Sequence, residues 1–198
     1  MSSRKCKTRV LLSDSTDPVW NLAVEEYLMT HTEPNEIVLY LWQNDHTVVL
    51  GRNQDLSAEV REKEFRNEGG TIVRRLSGGG AVYHDLGNLN YTFIAQRGNY
   101  DVGRQLGVIL AAVGKAGIEA EKTGRNDVTA GGLKFSGNAF YQSGKDCCHH
   151  GTLLVSTDLD KMNRYLSPSA EKLKARGVES VRSRVVNLTE LSPNLTVE

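Results

Sequence analysis

The chain has 198 residues, which is enough for one domain whose core needs no metal or disulfide to hold it together. Lys and Arg together number 24, as do Asp and Glu, so no global charge favours a nucleic-acid or anionic-membrane partner. No apolar run approaches the roughly 20 residues of a membrane span, and residues 1–8 lack the apolar stretch of a secretory signal. We therefore expect a cytoplasmic protein, or an enzyme of the mitochondrial matrix if the source is eukaryotic.

The first part of the chain alternates between strand-like and helix-like stretches. Residues 8–12 predict a strand, and Asp17-Pro18 predicts a helix with an N-cap and a proline in its first turn. Two short strands and a charged helix are predicted to follow, at 37–42, 47–50 and 57–67. We expect the first helix to bury Trp20, Ala23, Val24, Tyr27 and Leu28.

A glycine-rich stretch between two predicted strands is the strongest functional signal. The strands, at 71–75 and 88–94, are rich in Thr, Val, Tyr, Phe and Ile, and between them lies Gly-Gly-Gly at 78–80. Three glycines cost backbone entropy and fill no core, so they indicate unusual dihedral angles or backbone lying against a ligand. Because Arg74 and Arg75 come just before them, the expected ligand is an anion.

The glycine stretch fits neither common nucleotide-binding pattern. No Gly-Lys-Ser/Thr follows the glycines, and the spacing is not Gly-x-Gly-x-x-Gly. Two interpretations of the stretch stay open at this point: a hairpin turn with a solvated basic edge, or a nucleotide site of another architecture.

The second half of the chain begins with an apolar helix and continues with strand-like pieces. The helix is predicted at 102–116, with Leu106, Ile109, Leu110 and Val113 on its buried face. The strand-like pieces lie around 118 and 128 and at 134–140 and 152–155. This order is neither a strict βαβα alternation nor all β, which predicts one α+β unit with a mixed or antiparallel sheet flanked by helices.

A second cluster of glycines and polar residues lies between 123 and 138. Lys134 falls in a strand-like piece, where a lone lysine is usually an edge residue that discourages aggregation. Here Asn126 and Asp127 precede it and supply the oxygen ligands that Mg²⁺ prefers. With the arginines and the glycine-exposed backbone, these residues form a plausible set for phosphoryl or nucleotidyl transfer.

The chain has three cysteines, an odd count that argues against a disulfide framework. Cys147 and Cys148 directly precede His149 and His150, which suggests zinc. In an extended stretch, however, successive side chains point to opposite faces, so four adjacent residues cannot converge on one ion. We expect free thiols, including Cys6, and one histidine of the pair facing the site.

Taken together, the motifs resemble the lipoate-protein ligase A family. The resemblance rests on Arg-Arg-x-Ser-Gly-Gly-Gly-Ala-Val-Tyr-His-Asp-x-Gly-Asn, followed by Gly-Arg-Asn-Asp, Lys-x-Ser-Gly and His-His-Gly-Thr-Leu-Leu. It extends to residues 11–15, 21–26 and 180–188, and so covers nearly the whole chain in order. It implies an α+β catalytic domain shared with biotin ligases and related to class II aminoacyl-tRNA synthetases.

The resemblance also implies an activity. Members condense lipoate with ATP to lipoyl-adenylate, releasing pyrophosphate, and Mg²⁺ is the expected metal. They then pass the lipoyl group to a lysine, either on a lipoyl domain of a 2-oxoacid dehydrogenase E2 subunit or on the glycine-cleavage H protein.

By the same resemblance, individual residues acquire expected roles. Lys134 is the catalytic residue, contacting the α-phosphate and the lipoyl carbonyl oxygen. The residues expected to bind ATP are Arg75, Gly80, Ala81, Val82, Tyr83 and Lys134. Asn126 and Asp127 are expected to hold Mg²⁺. The residues expected to shape the lipoate pocket are Lys134, Arg74, Gly79, His84 and His149, with Val73 and the Leu153 region as guesses for its apolar walls.

Two departures from the family pattern leave alternatives open. Family ligases usually continue past this point, so we expect residues 1–198 to be a truncated large catalytic domain without the C-terminal accessory domain. A lipoyltransferase or binding module that accepts preformed lipoyl-AMP is then the first alternative. The second is a thioester enzyme, because Cys147 stands three residues before His150-Gly151, as the nucleophile of related octanoyltransferases does.

Overall fold

The computed structural model describes residues 6–166 and 185–197, so residues 180–184 of the motif at 180–188 lie outside the described residues. A seven-stranded sheet dominates, with strand order β1-β2-β6-β10-β9-β8-β7. Its β1–β2 pair is parallel and every other neighbouring pair is antiparallel. In strand order, its members are Lys7–Leu12, Glu36–Trp42, Asn88–Gln96, Asp146–Leu154, Leu133–Ser143, Asp127–Ala130 and Glu121–Thr123.

A second sheet of three strands carries the glycine-rich stretch. Its order is β4-β3-β5, formed by Thr71–Arg74, Thr47–Leu50 and Val82–His84. The β3–β4 pair is parallel and the β3–β5 pair is antiparallel. The glycines at 78–80 therefore lie in the loop that joins β4 to β5.

Six α-helices accompany the sheets in the described part of the chain. They are α1 Pro18–His31, α2 Leu56–Glu59, α3 Glu62–Asn67, α4 Val102–Lys115, α5 Leu159–Tyr165 and α6 Leu188–Leu191. The predicted α+β class with a mixed sheet is confirmed. None of the described helices is both long and apolar enough to cross a membrane.

The first helix starts where the sequence predicts and buries Leu28 as predicted, but Ala23 is exposed and polar side chains take part in the buried face. The Asp17 side chain accepts hydrogen bonds from two backbone N–H groups of the first turn. Trp20 and Tyr27 are 58% and 61% exposed, whereas Asn21 and Glu25 are buried. The apolar pattern was misleading because α1 directs polar side chains inward, where other polar groups of the sheet satisfy them.

The predicted helix at 57–67 is two short helices. Between them Val60 has extended backbone (φ −137°, ψ 139°) and forms an isolated antiparallel bridge with Leu166. Because that bridge needs extended backbone, one continuous helix is not possible. Val60 is buried in the same hydrophobic cluster as Phe65 and Tyr165.

The predicted strand at 152–155 is the end of a longer strand. β10 begins at Asp146 and lies between β6 and β9, so the Cys-Cys-His-His stretch is extended, as the zinc argument assumed. Cys148 packs with residues of α1 and β2, whereas His149 contacts α4. Successive side chains of β10 therefore face opposite sides of the sheet.

Candidate active site

A cavity of about 490 Å³ lies between the glycine loop and one face of the seven-stranded sheet. The cavity runs across five strands of this sheet. Its lining includes Trp42 on β2, Asn90 on β6, His150 and Thr152 on β10, Asn138 on β9 and Asp127 on β8. Neighbouring strands are about 4.8 Å apart, so the four steps from β2 to β8 span roughly 19 Å. The cavity is therefore an elongated slot.

The two ends of this slot differ in polarity. Charged and amide side chains line the β8–β9 end: Arg125, Asn126, Asp127 and Lys134. Leu22 of α1 and the Trp42 indole line the β2 end. The slot can thus hold a ligand with an anionic group at one end and an apolar group at the other.

Lys134 and Asp127 form an ion pair at the polar end. The Lys134 Nζ lies 2.7 Å from Asp127 Oδ1, and both side chains are partly exposed. The Lys134 backbone is held from both sides, because it pairs with Thr129 of β8 on one side and on the other it bridges to Val185 and its carbonyl accepts from the Val186 N–H. The Lys134 backbone is therefore fixed in position, while its partly exposed ammonium group is accessible to a ligand.

Asn126 carries a buried acceptor beside this pair. Its Oδ1 is buried and has no hydrogen-bond partner among the described residues. Its backbone carbonyl accepts from the Asn138 N–H at 2.7 Å and from Asn138 Nδ2 at 3.0 Å. Because buried acceptors are normally satisfied, Asn126 Oδ1 and the Asp127 carboxylate suit a hard cation such as Mg²⁺.

Arg75 supports the glycine loop from behind. It is buried at 8% exposure, and its guanidinium donates to Ser77 Oγ and to the Val49, Gly78 and Gly80 carbonyls, at 2.8–3.1 Å. Burial lowers the pKa of Arg75 to about 10, with the Glu25 carboxylate opposing that shift. The arginine therefore stays charged at neutral pH and fixes the loop while lining the slot.

Only some of the loop glycines are required by the backbone. Gly79 has φ +97°, and a Cβ there would lie 2.8 Å from Arg75 Nη2. A Cβ at Gly51 would lie 1.9 Å from the Gly79 carbonyl oxygen, so the two backbones are in direct contact. Gly78 has open space around it. The positive φ and the contact with Arg75 explain the glycine at 79, and the Gly79 carbonyl explains the glycine at 51.

A buried hydrogen-bond network lies behind the slot. His150 Nδ1 is 2.9 Å from Glu25 Oε2, and His150 Nε2 is 2.6 Å from Ser77 Oγ. Thr92 Oγ1 donates to the same Glu25 carboxylate at 2.6 Å. Burial alone would raise the pKa of Glu25, but the His150 charge and the hydrogen bonds from His150 and Thr92 hold that pKa below its ordinary range. The network ties α1 and β10 to the glycine loop.

The sequence profile of the lipoyl protein ligase A/B catalytic domain matches residues 17–198. The chain belongs to this family. Lipoate-protein ligase A of Bdellovibrio bacteriovorus is 44% identical over 193 residues, which are 96% of this chain and 57% of that relative. The enzyme of the same name from Psychrobacter cryohalolentis is 42% identical over 192 residues, 97% of this chain and 57% of the relative. The chain thus spans a little over half the length of these curated relatives.

Solved structures of the lipoate ligase type share the fold. LipL1 of P. falciparum in complex with lipoate has a TM-score of 0.85 at 32% identity, over 96% of this chain and 58% of that one. A lipoate-protein ligase A bound with ATP has a TM-score of 0.80 at 26% identity, over 96% and 79%. A bipartite lipoate protein ligase of Thermoplasma acidophilum, solved in a study of that ligase and its E2 lipoyl domain, has a TM-score of 0.80 at 28% identity, over 96% and 78%.

Most of the residues expected from the lipoate-protein ligase resemblance line the slot. The wall includes nine of them, namely Arg75, Gly79, Gly80, Ala81, Val82, His84, Asn126, Asp127 and Lys134. These residues come from the glycine loop, β5 and the β8–β9 region, which the fold brings together across two sheets.

Three expected ligand contacts lie away from the slot wall. Arg74 donates to the Gly51 and Gln54 carbonyls and so braces the loop after β3. The Tyr83 ring packs against Phe65 and Tyr165 in a buried cluster. His149 faces α4.

The alternation along β10 explains the position of His149. Its two ring nitrogens meet Gln105 and Asn138, and burial lowers its pKa to about 3. The neighbouring His150 lines the slot instead, with Glu25 and Ser77 behind it. Sequence reasoning missed these three residues. The period of two along the strand indicated that one histidine would face the site, but it did not indicate which.

The apolar residues that line the slot also differ from those guessed from the sequence. Val73 and Leu153 do not line the slot, and Leu153 packs in the core against α4. The apolar lining includes Leu22, Trp42, Val49 and Ala81. Leu22 and Trp42 come from α1 and β2, elements that sequence reasoning treated only as core.

Cys147 lies away from the slot. Its side chain is fully buried, its thiol points to the Lys145 carbonyl at 3.8 Å, and burial raises its pKa. Cys148 is close to Glu25 and His150, with ligand atoms within 4.8 Å of one another. Burial raises the pKa of Cys148 too, and the His150 nitrogens already bond Glu25 and Ser77. Both cysteines are free thiols, as is the exposed Cys6.

Proposed function

We propose that the chain activates lipoate with ATP to form lipoyl-AMP and pyrophosphate, and transfers the lipoyl group to an acceptor lysine. The observation that carries this proposal is the slot itself, with Lys134 and Asp127 at one end and Trp42 and Leu22 at the other. Lipoate has this same polarity, because its carboxylate and its ring lie at opposite ends. The lipoate and ATP bound in the two related ligase structures support the assignment.

In the first step the lipoate carboxylate oxygen attacks the α-phosphorus of ATP, and the bond to the pyrophosphate oxygen breaks. Two anions must approach each other, so a cation between them lowers the barrier. Lys134 Nζ is suited to this task because a compact ammonium can contact a carboxylate oxygen and a phosphate oxygen together. The Gly80, Ala81 and Val82 backbone is the proposed nucleotide contact, with the Arg75 charge behind it.

Asn126 and Asp127 are the proposed ligands for Mg²⁺. The orphaned Asn126 Oδ1 and the exposed part of the Asp127 carboxylate fit a hard cation. When bound, Mg²⁺ supplies positive charge that neutralises the phosphates. Asp127 also orients Lys134 through the 2.7 Å ion pair, so the same carboxylate would hold Mg²⁺ and position the ammonium.

In the second step the acceptor lysine amine attacks the acyl carbon of the mixed anhydride, the bond to AMP breaks, and an amide forms. Adenylates are reactive enough that positioning and electrostatic stabilisation can supply most of the catalysis. We propose lipoyl domains of 2-oxoacid dehydrogenase E2 subunits and the glycine-cleavage H protein as acceptors. The study of the Thermoplasma acidophilum ligase together with its E2 lipoyl domain supports the first of these.

The test is to incubate the chain with lipoate, ATP, Mg²⁺ and an apo lipoyl domain, and to measure pyrophosphate and the acceptor mass. We expect pyrophosphate release and an ATP-dependent mass gain of one lipoyl group. Transfer from supplied lipoyl-AMP, without pyrophosphate release from ATP, would instead identify a lipoyltransferase. Failure of both reactions would refute the proposal.

A further inference from the structure

His84 presents an unsatisfied hydrogen-bonding atom at the apolar end of the slot. The side chain is 2% exposed and lines the cavity, and its ring meets the Trp42 indole edge-on at a centroid distance of 6.0 Å. Its Nε2 is buried and has no partner among the described residues. Because buried polar atoms normally have a hydrogen-bond partner, an unpaired one in a cavity indicates that a ligand supplies the partner.

The hydrogen-bond network fixes what kind of atom this is. Asn21 Nδ2 faces the carbonyl oxygens of Ser15 and Gln43 at 3.0 and 2.8 Å, so this end of the amide must be the donor. The same Nδ2 lies 3.1 Å from Asn44, which must therefore present its Oδ1. Asn44 consequently turns its Nδ2 toward His84 Nδ1, at 3.2 Å.

Because Asn44 donates to Nδ1, the neutral His84 ring carries its proton on Nε2. Burial, with help from the Arg75 and His150 charges, lowers the pKa of His84 to about 3, so the ring is neutral at physiological pH. The orphaned atom is therefore an N–H donor, held in one tautomer by the relay from Asn21 through Asn44.

The position of His84 indicates which ligand atom it meets. Trp42, its ring neighbour, is on β2, and Lys134 is at the β8–β9 end of the slot. Because β10 and β6 lie between these strands, a fatty acid whose carboxylate contacts Lys134 can extend across them, with its far end toward Trp42 and His84. Lipoate has two ring sulfurs there, which can accept a hydrogen bond weakly, whereas octanoate has only methylene and methyl groups.

We propose that His84 selects for a sulfur-bearing ring at the end of the acyl chain, by donating its Nε2–H to a ring sulfur. This inference rests on the proposed function. A plain alkyl chain leaves the donor buried and unpaired, which weakens its binding relative to lipoate. Since the disulfide sulfurs of the lipoate ring are weak acceptors, as divalent sulfur generally is, we expect a preference of about three- to tenfold.

The test compares two ligands of matched shape in three proteins. The ligands are lipoate and its carbocyclic analogue, in which methylenes replace both ring sulfurs. The proteins are the wild-type chain, His84→Leu, which removes the donor, and His84→Gln, whose amide nitrogen can reach the position of Nε2. Calorimetric titration gives a Kd for each pair, and thermal melting shows that each variant is folded.

We expect lipoate to bind the wild-type chain more tightly than the carbocycle, the ratio to fall to about one in His84→Leu, and His84→Gln to restore part of it. A ratio unchanged by His84→Leu would overturn the inference. Equal affinities of the wild-type chain for lipoate and the carbocycle would also overturn it, and this result does not depend on whether a variant folds. If neither acid binds and no pyrophosphate forms, the proposed function itself fails.

Discussion

Replacing Gly79 by alanine tests whether the glycine loop is built on Arg75. Gly79 has φ +97°, and an added Cβ would lie 2.8 Å from Arg75 Nη2. Gly78 is the matched control, because a Cβ there meets nothing within 4 Å and its φ lies outside the positive range. The two substitutions add the same methyl group to adjacent positions, so they differ only in backbone strain and contact.

The expected cost follows from these two effects. A non-glycine residue at positive φ costs about 1–2 kcal/mol. Displacing Arg75 Nη2 weakens its bonds to the Gly78 and Gly80 carbonyls, and a hydrogen bond to a charged group contributes about 1.5–3 kcal/mol. A total near 3 kcal/mol corresponds to a fall in Tm of about 6–12 °C for a domain of this size.

Thermal melting of both variants, followed by circular dichroism, measures this difference. Gly79→Ala should melt well below the wild-type chain, and Gly78→Ala should melt close to it. ATP should protect Gly78→Ala from unfolding but protect Gly79→Ala less, because the loop that contacts the nucleotide has shifted. Equal melting temperatures for the two variants would refute the account of Arg75 as the support of the loop.

Four further predictions concern the remaining parts of the site. Lys134→Ala should lower the rate of pyrophosphate release by about 10²–10³-fold without lowering Tm, since it removes the cation at the reacting oxygens. Cys147→Ala should keep acceptor lipoylation, measured by mass, because its thiol is buried away from the slot; loss of transfer would restore the thioester alternative. Asn126→Leu should raise the Mg²⁺ concentration needed for half-maximal activity in a metal titration. Because the folded-state pKa of Glu25 lies below its ordinary 4.5, its ion pair stabilises the fold above that pH and loses this effect as the pH falls. The difference in urea stability between wild type and Glu25→Gln should therefore shrink on acidification, and a constant difference would contradict this account.

The sequence predicted the family and the α+β class because those depend on ordered motifs and on the succession of elements. The sequence also predicted that Asp127 and Lys134 belong to one cluster, because they lie close together in the chain, on strands that turn out to be neighbours. The glycine loop was recognised by a local rule, because three consecutive glycines are unfavourable wherever a ligand or a positive φ does not require them.

The errors arose where tertiary packing decides the outcome. On α1, Trp20 and Tyr27 are exposed while Asn21 and Glu25 are buried, because the interior offers those polar groups partners from β2 and β6. No pattern of hydrophobic residues along a single helix contains that information. Buried polar residues in the first helix are the signal that could have pointed to a site behind it.

The choice of His149 over His150 has the same origin. Alternation along a strand separates the two histidines, but which side of the sheet carries the slot depends on where α1 and α4 pack. The relay through Asn44 to His84 was likewise beyond sequence reasoning, since it depends on hydrogen bonds between α1, the β2–β3 turn and β5.

The central claim is that Lys134, at the polar end of an elongated slot, joins lipoate to the α-phosphate of ATP. The most direct measurement is to mix the chain with lipoate, Mg²⁺ and ATP labelled at the α-phosphate, without acceptor, and to look for labelled lipoyl-AMP on the protein. We expect the adenylate on the wild-type chain and little on Lys134→Ala. Equal amounts on both proteins, or none on the wild-type chain, would contradict the account.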